Sequence, residues 1–269
     1  MKNKTSWGKV AGWYDNLLEN SSDSYQEKVI LPNLLRIVDP KKGMKILDVA
    51  CGQGYFSRLF AKNGAQVTGC DISPELIELA TKNSPKEIAY FVAPAEKISD
   101  AIGGAAMKFD VITIILAIQN IEDMRATFIE CSKLLNDNGR LIFVINHPTF
   151  RIPQSSSWQW DAVAHKQYRR VDSYMTDSKI KIDMAPGKSS GKGKADDSGK
   201  SLTATNLTTI SFHRPLQSYF KALNSAGLAV TRLEEWISHK QSQEGPRAAE
   251  EDRTRKEIPL FMCIETRKI

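Results

Sequence analysis

Cysteine is sparse in this chain, and the four that occur, Cys51, Cys70, Cys131 and Cys263, form no C-x-x-C pair. That spacing suggests neither a zinc site nor a disulfide framework, and the thiols read as small buried side chains in a reducing compartment. No metal is called for. Long apolar runs are missing as well. No stretch approaches the roughly 20 residues of a membrane span, and the lysines of MKNKTSWGKVAGWYD have no apolar segment behind them to act as a signal peptide. The expectation is a soluble, cytoplasmic protein. A formal charge of +6 would suit nucleic acid, but several of the lysines sit in GKSSGKGKADDSGK, residues 187–200. Two aspartates interrupt that tract and no aromatic side chain is interleaved for base stacking, so it reads as a mobile loop and no nucleic-acid partner is expected.

What is present is a rhythm. From Met44 to Ile145 short apolar runs alternate with amphipathic segments, the pattern of a parallel sheet with crossover helices. MKILDVA, AQVTGCDI, IAYFVA, FDVITIILAI and RLIFVIN read as strands. FSRLFAKNG reads as a helix stopped by Gly64, and MRATFIECSKLL as one closed near Asn138-Gly139. Ser73, Pro74 and Glu75 supply an N-cap, a first-turn proline and a first-turn acid, which start a helix over SPELIELATKN. After Asn146 the rhythm stops for about sixty residues, a length that a compact domain rarely leaves without purpose. This segment is expected to be a cap over the sheet. Regular structure returns in the helix RPLQSYFKALNSAG and the strands LAVTRLEEWI and IPLFMCIETRK, separated by a charged loop with at most a short helix. The fold class is therefore α/β, a doubly wound, seven-stranded and mostly parallel sheet. Its parts are a helical N-terminal lid (1–40), a core (41–148), an inserted cap (149–208, with the mobile loop 187–200) and a C-terminal return to the core (209–269).

The stretch LDVACGQGYF follows the first strand and opens the first helix. A dinucleotide fingerprint would need a third glycine, but Ser57 follows Gly52 and Gly54. A Walker loop would need Gly-Lys-Ser/Thr, which is also missing. What remains is D-x-A-x-G-x-G, formed by Asp48, Ala50, Gly52 and Gly54, with Asp71 at the end of the second strand, where a carboxylate can accept hydrogen bonds from both ribose hydroxyls. On these residues the chain resembles the class I S-adenosylmethionine-dependent methyltransferases, in particular the small-molecule branch that includes quinone-biosynthesis enzymes. The resemblance covers 47–145 well and the tail after Arg214 more loosely.

The resemblance implies S-adenosyl-L-methionine as cofactor, a small-molecule methyl acceptor and a Rossmann-like methyltransferase fold. It places the glycine loop against the aminoacyl part, Asp71 on the ribose and Ile72 against the adenine. The acid that many members carry after the third strand is replaced by Pro94, which leaves the Ala95 backbone N–H or Glu96 to hold the adenine. Ala117 and Gln119, after the fourth strand, line the cofactor or acceptor site, and Tyr14 of the lid covers the cofactor. Around the acceptor the candidates are Asn146, Trp158, Tyr168, His213 and Arg214. His147 reads two ways: as a general base poised near neutrality, or as a ring that hydrogen-bonds the turn before Pro148. Two rival functions stay open, an RNA methyltransferase and a cofactor-binding regulatory or assembly protein without turnover.

Overall fold

The computed structural model describes residues 23–104, 106–183 and 208–269. Tyr14 and the tract 187–200 lie outside these. Strand β1 (Lys45–Val49) shows how the sheet is built, because its successive side chains enter opposite layers. Ile46 packs with Leu34 and Phe60 beneath α1 (Leu31–Val38) and α2 (Tyr55–Lys62), while Leu47 and Val49 join the core of the other face. The same division recurs further along. In β4 (Phe109–Ile115), Ile112 and Ile114 face one layer and Val111 and Ile115 the other. Strands buried on both faces in this way read as continuous apolar runs, which is why the segments were legible.

Between these strands lie β2 (Gln66–Asp71), α3 (Pro74–Asn83), β3 (Ala89–Val92) and the single turn α4 (Ile98–Ala101). The Ser73 hydroxyl caps α3 by accepting from Leu76 N, as the sequence predicted. Helix α5 (Met124–Leu134) ends earlier than expected, and β5 (Leu135–Asn146) begins immediately after it. The reason is an irregularity in the β4–β5 pairing. Phe109 pairs with Leu135 but Val111 with Arg140, so residues 136–139 bulge out, held by the Asn136 amide donating to Asp110 Oδ1 at 2.6 Å.

Among the described residues the insertion forms two antiparallel hairpins, β6 (Ser156–Asp161) with β7 (Lys166–Val171) and β8 (Ser178–Asp183) with β9 (Thr208–His213). Because β9 completes the second hairpin, the core resumes at α6 (Leu216–Ser225) rather than at residue 209. Strand β10 (Leu228–Trp236), helix α7 (Ala248–Glu257) and strand β11 (Phe261–Lys268) finish the chain. The expected charged loop thus holds a ten-residue helix, and that helix receives the first hairpin: Arg247 stacks on Trp160 at 4.7 Å, and Gln167 N donates to Glu250 Oε1 at 3.0 Å.

The seven-stranded sheet runs β10-β11-β5-β4-β1-β2-β3, with β11 antiparallel to both neighbours and β1 to β5 parallel. The chain leaves β1 towards β2 and leaves β4 towards β5, so the two central strands diverge at their carboxyl ends. This switch point is where open α/β sheets bind ligands. Close approach marks its flank. The Tyr90 ring lies over Gly69, where a Cβ would come within 2.6 Å of it, and the Tyr90 hydroxyl pairs with Ser84 at 2.9 Å.

Candidate active site

The turn after β1 is bent by three positive φ angles at alternate positions, Ala50 (54°), Gly52 (57°) and Gly54 (80°). Alanine in this conformation is strained, and its counterpart across the switch point, Leu116 at the end of β4, is strained alike with φ 53°. Two non-glycine residues held left-handed on either side of one crevice mark it as more than a packing defect. Cys51 N donates to Cys70 O at 2.9 Å and fastens the turn to β2.

Asp71 closes this turn. Its Oδ2 accepts Gly52 N at 3.0 Å and its Oδ1 accepts Ser73 N at 2.9 Å, so one carboxylate joins the glycine loop to the start of α3. Burial raises its pKa, opposed by these backbone hydrogen bonds. A carboxylate has about four lone-pair sites, so Asp71 retains acceptor capacity beyond these two bonds. Asp48 is deeper. Its Oδ2 accepts the Ser57 hydroxyl at 2.6 Å and its Oδ1 the Thr113 hydroxyl at 3.0 Å, clasping β1 to α2 and β4, and burial pushes its carboxyl up to about 6.

Over this turn opens a cleft of about 780 Å³. Asp48, Ala50, Gly52, Asp71, Ile72 and Ala117, all anticipated from the sequence, line it. Ala95 and Glu96 border an adjoining recess that shares Ala50 and Ile72 with the cleft. Gly54 sits behind the loop, where a Cβ would collide with the Tyr90 hydroxyl. Sequence reasoning missed Gln53, which lines the cleft while its side-chain Nε2 is buried without a hydrogen-bond partner among the described residues. It also missed the apolar wall formed by Phe56, Leu76 and Leu116.

Leu116 and Asn120 belong both to this cleft and to a larger open chamber of about 1230 Å³ beneath the cap. Asn146 and Trp158, expected beside the acceptor, line that chamber, and so does Gln119, which was expected against the cofactor or the acceptor and does not line the cleft. The other acceptor candidates are placed elsewhere. Tyr168 is spent on Gln159 across the first hairpin, with its hydroxyl donating at 2.9 Å. His213 is buried against the Tyr174 carbonyl at 2.8 Å. Arg214 anchors the loop after β4 by donating to the carbonyls of Ile121 and Glu122 at 2.9 and 2.7 Å.

His147 requires the largest correction. It lines neither the cleft nor the chamber and is 4% exposed. Its Nδ1 accepts Thr149 N at 3.2 Å, so the proton resides on Nε2 and points to Glu235 Oε1 at 2.6 Å. The lone pair that a base would use is already engaged. The second reading, a ring that braces the turn before Pro148, is the one this geometry fits.

Among the described residues no group of side chains could hold a metal ion, and no helix is long and apolar enough to cross a membrane. Residues 47–143 match the family model described as a methyltransferase domain. Ubiquinone biosynthesis O-methyltransferase of Xanthomonas axonopodis pv. citri is 32% identical over 99 residues, 37% of this chain and 41% of that protein. The Coxiella burnetii (strain Dugway 5J108-111) protein of the same name is 31% identical over 110 residues, 41% and 47%. The alignments thus span less than half the length of these curated relatives. A solved S-adenosylmethionine-dependent methyltransferase from Mesorhizobium loti superposes with TM-score 0.63 over 91% of this chain and 98% of that one, at 22% identity, which speaks to the fold. With the strand order and the glycine turn already in view, residues 47–143 match a methyltransferase domain, and the sheet that carries them has the fold of a solved S-adenosylmethionine-dependent methyltransferase.

Proposed function

We propose that the protein binds S-adenosylmethionine in the cleft over the glycine turn and transfers its methyl group to a small organic molecule held in the chamber beneath the cap. The observation that carries this reading is continuity: the cleft and the chamber meet at Leu116 and Asn120. The lining fits such a cofactor. Asp71 offers acceptors for ribose hydroxyls, Gln53 Nε2 is a buried donor in want of an acceptor beside the glycine loop, and Ile72 gives an apolar face for the adenine. When bound, the cofactor supplies a methyl carbon that takes the acceptor's lone pair while the carbon–sulfur bond breaks and sulfur leaves as a neutral thioether, and a proton carried by the acceptor is then lost to solvent.

The chain's own task is alignment and exclusion of water. Gln119 serves the first. Its Nε2 donates to Leu116 O at 2.7 Å, which fixes the amide and leaves Oε1 buried without a partner among the described residues, ready to accept a proton-bearing hydroxyl or amine of the acceptor. The Trp158 side of the cap serves the second. Calorimetry with S-adenosylhomocysteine tests the binding, and incubation with methyl-labelled cofactor and a metabolite extract, read by mass spectrometry, tests the transfer. Binding without any labelled product would favour the regulatory alternative.

A further inference from the structure

Among the described residues, the chamber is lined by two guanidiniums and no carboxylate. Arg151 and Arg169 both line it, Arg169 lies over the Trp158 ring at 5.2 Å, and the same three residues face a second recess with Tyr25 and Phe150. Arg169 is held in place by donating Nε to Phe150 O and Nη2 to Ser156 Oγ, both at 2.8 Å. Arg151 is exposed, and its guanidinium makes no hydrogen bond or ion pair with the described residues. Desolvation by burial, and after it the charge of Arg151, lower the pKa of Arg169. Elsewhere the protein pairs its arginines readily, as at Arg36 with Glu234 or Arg140 with Glu265. Two cations that share both recesses with no acid among the described lining residues, one braced and one open, suit an anion brought by a ligand.

We propose that the methyl acceptor is a planar molecule carrying a carboxylate or phosphate, which Arg151 and Arg169 receive while Trp158 borders the ring and the nucleophile reaches the Leu116–Asn120 opening. This rests on the chamber being the acceptor site. Its chemistry is selective: an anion gains charge-assisted hydrogen bonds that a neutral isostere of the same shape cannot form.

The test uses benzoate, phenyl phosphate and benzyl alcohol as probes of the full chain, followed through the Arg169 Nε–H cross-peak in nitrogen-15 NMR. Benzoate or phenyl phosphate should move that peak saturably and benzyl alcohol should leave it unmoved; which of the two anions binds tighter assigns the headgroup. Arg151→Gln, which sacrifices no internal hydrogen bond, should weaken anion binding about tenfold or more. Arg169→Lys, which keeps the charge and loses the planar fork, should weaken it less. Equal binding of the alcohol and the anions, or an Arg151→Gln variant that binds the anions as the parent does, overturns the proposal. Titration with S-adenosylhomocysteine is scored separately: its failure removes the methyl-transfer reading and leaves the anion result standing.

Discussion

Asp71 has two duties, and separating them is the first experiment at the scale of single residues. Because its carboxylate holds Gly52 N and Ser73 N, Asp71→Ala should cost roughly 1–3 kcal/mol of stability as well as cofactor affinity. Asp71→Asn keeps an acceptor oxygen and should recover part of the first loss. Urea unfolding and calorimetry on both variants read the two effects apart, and an alanine variant with unchanged cofactor affinity would exclude Asp71 from the site. Acidity gives a second handle. The Asp48 carboxyl, raised from 3.8 to about 6, contributes stability that is full below pH 3.8 and is lost as the pH climbs through 6, roughly 3 kcal/mol in all. Asp48→Asn should flatten that decline in denaturant titrations between pH 4 and 7. His147 has the opposite sign. Burial lowers its pKa, so its contribution is present above 6.5 and fades on acidification, and His147→Ala should weaken the fold while sparing cofactor affinity.

Elements were legible wherever burial imposed a period. The strands from Lys45 to Asn146 and the cap at Ser73 follow from local pattern, and so does the glycine turn, because a strand-to-helix junction leaves few conformations open. The hairpins within the cap were not legible, since hairpin faces depend on register. Once Trp158 pairs with Arg169 and Gln159 with Tyr168, the alternation of side chains puts Trp158 and Arg169 on one face and Tyr168 on the other. Arg214 and His213 lie outside the site for a related reason: their partners, Ile121, Glu122 and Tyr174, are 39 to 93 positions away in the chain. The first hairpin offers its own test. Arg247→Ala removes the contact with Trp160 and should raise amide exchange along β6 and β7 while the exchange of β1 and β4 stays unchanged. Uniform protection across the variant would show that the hairpin stands without α7.

For the molecule as a whole, the cleft over the glycine turn and the two core layers share the same strands, so binding of a ligand there should report on global stability. A ligand held at a hundred times its dissociation constant adds about 2.7 kcal/mol, which in a chain of this size raises the melting temperature by roughly 5–10 °C. Thermal scans with S-adenosylhomocysteine should show that rise, and adenosine alone, lacking the aminoacyl part that the proposed function sets near Gln53, should show less. Equal shifts for the two would take Gln53 out of the reading.

The Tyr90 ring over Gly69 constrains how this sequence can drift. A methyl at position 69 would press into the ring at 2.6 Å and lie 3.0 Å from Cys51 Sγ, so substitution there has to await a smaller side chain at position 90. The reverse order is open, because shrinking Tyr90 costs ring packing and the hydroxyl contacts with Ser84 and Ser57 but drives no atoms into collision. Divergence at this flank of the cleft is therefore directional, with position 90 changing before position 69. Descendants of a common ancestor should include chains with glycine at 69 beside a small residue at 90, and none with a larger residue at 69 beside tyrosine at 90.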